Sequence, residues 1–157
     1  MIRTSCRIPT AIWTDPQVRQ LDIGHQWMLF LLATQPDLSP AGVLPLVISR
    51  WVGDAADATT ESVRMGLIGL IAYDLITVDE LTAEVWVRPW VRWQRQYPNP
   101  KNAAAILASV SEVASPTIRR ELTVDLSTLG LVERRSDQRS NGDQITATAN
   151  PAAQVHA

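Results

Sequence analysis

The sequence predicts a mainly α protein with a small β wing, and three observations carry that prediction. Apolar residues recur at helical spacing in Ile23–Ala33, Val47–Gly53 and Thr60–Tyr73. A short extended piece, Gly42–Leu46, separates the first two, and two β-rich runs, Leu75–Asp79 and Glu84–Arg88, follow the third. Two more apolar helical stripes lie beyond residue 100. Periods of 3.6 and 2 residues distinguish buried helices from half-buried strands. The order helix, strand, helix, helix, strand, strand is that of a winged helix-turn-helix, here with two C-terminal helices added.

Each element has local chemistry behind it. Ile8-Pro-Thr-Ala-Ile-Trp13 supplies apolar anchors, and Asp15-Pro16 reads as N-cap and first turn of a short helix reaching Leu21. Asp22 caps the next helix, in which Ile23, Trp27, Phe30, Leu31 and Thr34 share one face and Met28 and Leu32 broaden it. A helix apolar nearly all round is expected at the centre of the core. Gln35–Gly42 is turn-rich. Thr59 opens the third helix, with Val63, Leu67, Leu70 and Ile71 expected inward. Thr60, Glu61, Ser62 and Arg64 face outward near its start, where helix-turn-helix proteins present base-reading side chains. The wing tip Glu80–Ala83 carries no Lys or Arg, which argues against a grip on the minor groove through that tip. Next comes the most basic and aromatic stretch, where Arg88, Arg92 and Arg95 alternate with Trp90, Trp93 and Tyr97.

A helix from Lys101 to Ala114 follows, with Ala103, Ile106, Leu107, Val110 and Val113 on one stripe. Ser115-Pro116 then starts a last helix, with Ile118, Leu122, Leu126 and Leu129 inward and Gly130 as its stop. From Glu133 the chain is polar and turn-rich, the composition of a disordered tail. The expected organisation is thus a winged-helix domain over 1–100, a helical extension over 101–132 and a tail over 133–157.

Composition narrows the function classes. Hydrophobic residues are 46% and charged residues 19%, an ordinary globular balance. The longest apolar stretch, Trp27–Ala33, is too short for a bilayer, and the N-terminus lacks a signal-peptide core. Cys6 is the single cysteine and no Cys/His cluster suggests a metal, so a cytoplasmic protein without metal or cofactor is expected. The net charge is −2; residues 1–100 hold eight Arg against ten Asp or Glu, and the rest hold six of each sign. Neither part is basic, so any phosphate binding must come from local clustering.

The strings Ile8–Asp15, Gln35-Pro-Asp-Leu-Ser-Pro-Ala-Gly-Val-Leu-Pro-Leu46, Arg50-Trp51, Val87-Arg88 and Tyr97-Pro-Asn-Pro-Lys-Asn-Ala-Ala104 resemble small helix-turn-helix proteins of actinobacterial phages and prophages. These are similar in layout to the N-terminal winged-helix domains of phage replisome organisers and DnaD-type replication initiators. The resemblance spans roughly residues 7–130. It implies a role in phage DNA replication or transcription control inside a bacterial host.

The first functional expectation is double-stranded DNA binding with the third helix in the major groove. Arg64 would contact a base or phosphate, Thr60 and Ser62 would donate to phosphates, and Arg50, Arg88, Arg92 and Arg95 would pair with the flanking backbone. Each has a structural alternative: Arg50 as a solvated arginine, the arginine–aromatic stretch as packing between wing and extension. The competing expectation is a protein-interaction module that binds a host or phage replication or transcription protein, favoured by the acidic Asp54–Glu61 stretch. Gln26–Phe30 has the loose spacing of a sliding-clamp peptide, but its position inside an apolar helix marks it as core. No acid, base and nucleophile assemble into a catalytic set, so no enzyme is expected. The apolar stripes of residues 101–131 lead to the expectation of a homodimer through that region.

Overall fold

The computed structural model describes residues 4–94 and 97–132. A 3-10 turn, Thr10–Thr14, leads into α1 (Pro16–Arg19) and α2 (Ile23–Thr34). Then come β1 (Val43–Pro45), α3 (Ile48–Val52), α4 (Thr60–Ala72), β2 (Ile76–Asp79) and β3 (Glu84–Val87). The chain continues through α5 (Trp90–Trp93), α6 (Pro100–Glu112) and α7 (Pro116–Thr128). The fold is therefore mainly α with a small antiparallel sheet, in the order β1-β3-β2. Register pairs Val43 with Trp86 and Ile76 with Val87, so β3 lies between the other two.

Side-chain caps fix the helix starts. Asp22 accepts the His25 N–H at 2.8 Å, Thr59 and Ser62 form a reciprocal capping box, and Ser115 accepts the Ile118 N–H at 3.1 Å. Caps of this kind contribute about 1 kcal/mol each. Gly42, at φ 86°, turns the chain into β1 where the Trp90 side chain presses against the backbone, so both the conformation and the space demand glycine.

The core forms where α2 and α4 cross behind the sheet. Trp51, Trp86, Met28, Leu29, Leu32, Leu44, Leu70 and Leu75 are among its fully buried side chains. Here the expected facing of α2 is corrected. Its buried side is Met28, Leu29, Leu32 and Ala33, whereas Ile23 and Trp27 are exposed and Phe30 and Leu31 only partly covered. The helix carries two apolar stripes, and the narrower one, with its smaller total side-chain bulk, fits against α4. Gly66 and Gly69 of α4 allow that close approach: a β-carbon at Gly66 would crowd Met28, and one at Gly69 would collide with the His25 ring. On α4, Val63, Leu67 and Leu70 are buried as expected, but Ile71 is 46% exposed.

The two C-terminal helices fold back on the sheet. Ile106, Val113, Ile118, Leu122 and Leu126 are buried there, with Leu107, Val110 and Leu129 packed partly against the core. The Ser109 hydroxyl accepts the Ala41 N–H at 3.1 Å. Of the stripes that suggested pairing of two copies through 101–131, Ile106, Val113, Ile118, Leu122 and Leu126 are thus buried within the chain, while Ala103, Leu107, Val110 and Leu129 are only partly covered. The tail from 133 lies outside the described residues.

Candidate interaction surface

Of the expected nucleic-acid contacts among the described residues, Arg50, Ser62 and Arg88 are engaged within the chain and Thr60, Arg64 and Arg92 are exposed. Arg50, on α3, pairs with Asp37 at 2.7 Å. Arg88, at the end of the wing, bonds Glu121 of α7 at 2.9 Å and Thr77 at 3.1 Å, approaches Asp74 at 3.4 Å and covers the Trp86 ring at 5.0 Å. It is a half-buried brace between sheet and extension. Trp90 and Trp93 are buried, and the Trp93 indole N–H donates to Asp15 at 3.0 Å, so these aromatics fill the space beside the sheet. Ser62 gives its hydroxyl to the cap, accepting the Thr59 N–H at 2.8 Å and donating to the Thr59 carbonyl. Thr60, Arg64 and Arg92 are exposed, and Arg64 makes no ion pair among the described residues. Arg95 lies outside the described residues.

The outward face of α4 is apolar instead of basic. Met65 and Ile68 are 54% and 56% exposed, with Ile71 at their edge and Tyr73 beyond. Beside them the outward stripe of α2 contributes Ile23, 86% exposed, and Trp27. Phe30 continues this stripe and meets the ring of exposed Trp13 at 5.4 Å. Isolated exposed apolar side chains are ordinary, but here Ile23, Trp27 and Met65 lie together along one groove between the two helices.

Between the two helices opens a groove of about 600 Å³, lined by Trp27, Met28 and Met65 and, from the α3–α4 loop, by Ala55 and Ala58. Its rim is acidic. Asp22 and Asp57 line it together with His25, and exposed Asp54 and Glu61 adjoin lining residues Ala55 and Ser62 in the chain. The His25 backbone N–H, and then its ring, hold the Asp22 carboxyl below the usual carboxylate range, which favours its ionised form. Among the described residues no group of three or more His, Cys, Asp or Glu is placed to hold a metal, and no helix is long and apolar enough to cross a membrane.

Sequence reasoning assigned the Ile23–Trp27–Phe30 stripe to the core and passed over Met65 and Ile68. The signal was present as an excess: both α2 and α4 carry more apolar positions than one buried stripe requires. Comparison with protein-family models, with curated proteins and with solved structures gives no match.

Proposed function

We propose that this chain is a winged helix-turn-helix protein that works by binding another protein through the outward face of α2 and α4. The strand order β1-β3-β2, with α3 and α4 between β1 and the β2–β3 hairpin, supports the winged-helix assignment. The observation that carries the function is the exposed apolar run Ile23, Trp27, Met65 and Ile68. A helix that reads a major groove presents donors and cations; Met65 and Ile68 offer neither, and aqueous exposure of such side chains costs free energy that a protein partner recovers. By its resemblance the setting is replication or transcription of a phage or prophage in a bacterial cytoplasm, with a host or phage protein of that machinery as partner.

A second reading, DNA binding, is favoured by one observation: Thr60 and Arg64 sit exposed on the first turns of α4, with no competing ion pair among the described residues. One experiment separates the two. A photo-crosslinking amino acid at position 68 of the full chain, in cells that produce it, is expected to form adducts that nuclease leaves intact and protease removes. Adducts to nucleic acid, together with duplex binding that weakens steeply with salt, would replace this reading with the DNA one.

A further inference from the structure

We propose that the α2–α4 groove receives a basic amphipathic helix of a partner protein. The inference rests on the protein-binding reading and adds what the partner must look like.

The apolar lining selects apolar side chains. Trp27, Met28 and Met65 belong to it, and methionine adapts its shape to different apolar knobs. The rim selects charge. Asp22 and Asp57 line the groove together with His25, whose ring meets Asp22 at 2.8 Å; no Lys or Arg is among the lining residues, and exposed Asp54 and Glu61 adjoin lining residues Ala55 and Ser62 in the chain. A segment with Lys or Arg flanking its apolar stripe is attracted, whereas a nucleic-acid backbone is repelled. A second copy would set one acidic rim against another.

The walls select secondary structure. Both are helices, α2 and α4, whose backbone groups are bonded along their own axes, so the groove offers no strand edge to an incoming chain. An occupant must satisfy its own N–H and C=O groups, and a helix does so. Helix-in-groove docking uses anchors at i, i+3 or i+4, and i+7.

Selection of a displayed random peptide library on the immobilised full chain tests this. Enriched peptides should share apolar residues at that spacing, flanked by Lys or Arg. A synthesised winner should bind roughly tenfold or more weakly to Met65→Lys and to an Asp57→Lys/Glu61→Lys double variant, a loss of one decade or more in Kd. Circular dichroism establishes that the variants keep their helices, and Trp27→Ala serves as an independent lining variant. Winners without a basic excess, or equal binding by the variants, overturn the proposal. So does a wild-type dimer in light scattering that Met65→Lys dissociates, since a second copy would then fill the groove. Protein adducts at position 68 with no such peptides would leave the protein-binding reading standing and remove the helix; absence of both would remove both.

Discussion

Glu84 of β3 holds Ser115 at the start of α7: its Oε2 accepts the Ser115 N–H at 2.6 Å while Oε1 accepts the Ala114 N–H at 2.9 Å. One carboxylate thereby satisfies two backbone donors at the α6–α7 junction and fastens the extension to the wing. Glu84→Ala leaves both donors without it and should cost about 2–3 kcal/mol, since hydrogen bonds to charged groups are among the stronger ones. Urea unfolding measures this. A change under about 0.5 kcal/mol, the range of surface substitutions, would show that the extension is held by packing alone.

The same junction gives the fold an acid dependence. The Ser115 hydroxyl donates to Asp79 at 2.5 Å, and this bond, assisted by the Thr82 and Leu81 N–H groups, holds the Asp79 carboxyl below the usual carboxylate range. A carboxyl depressed on folding adds stability above its unfolded value, and that stability disappears as pH falls through the lower folded value. Ser115→Ala should therefore lose more stability at pH 7 than at pH 3. Equal losses at both pH values, measured by thermal melts, would contradict the assignment.

Asp125 of α7 behaves in the opposite sense. Burial pushes its carboxyl up, against the pull of Arg92 and Arg88, and Oδ2 is buried without a hydrogen-bond partner among the described residues. Its ionisation opposes folding at neutral pH. Asp125→Asn should raise Tm at pH 7, with the gain fading as pH drops below the usual carboxylate range, where the wild-type group is also neutral. A lowered Tm at pH 7 would mean that Arg92 and Arg88 outweigh desolvation.

Gly42→Ala combines a positive φ with a close approach: the new β-carbon would lie 2.7 Å from the Trp90 Cβ. Neither atom is the end of a flexible chain, so backbone must move. The cost should be about 2–4 kcal/mol, from left-handed strain plus overpacking. Gly130→Ala makes a useful control, with φ 69° but no heavy atom near the new carbon, and should cost only about 1 kcal/mol.

The order of elements was legible in the sequence because each boundary is written in local chemistry. Asp15, Asp22, Thr59 and Ser115 cap the helices that their places in the sequence predict, and Gly130 ends the last at positive φ. What periodicity could not decide was which of two apolar stripes on α2 faces inward. Ile23, Trp27 and Phe30 form the bulkier one, yet Gly66 and Gly69 on α4 shape the seat for Met28 and its neighbours. That choice depends on residues forty positions away. The arginines were ambiguous for a related reason: Arg88 meets Glu121 across 33 positions, a pairing no local pattern announces.

The two sides of α4 should respond oppositely to a charge. Ile68 is 56% exposed and Leu70 is fully buried, although they are two residues apart on the same helix. Ile68→Glu removes apolar surface from water and adds no buried charge, so unfolding free energy should change by no more than about 0.5 kcal/mol. Solubility should rise and binding of a hydrophobic dye should fall. Leu70→Glu places a carboxylate among Met28, Leu29 and the sheet, where an unpaired buried charge costs several kcal/mol, enough to unfold a domain of ordinary stability. Circular dichroism with dye fluorescence reads both. If Ile68→Glu unfolds the protein as Leu70→Glu does, the outward face of α4 belongs to the core, and both the interaction surface and its groove are lost as explanations.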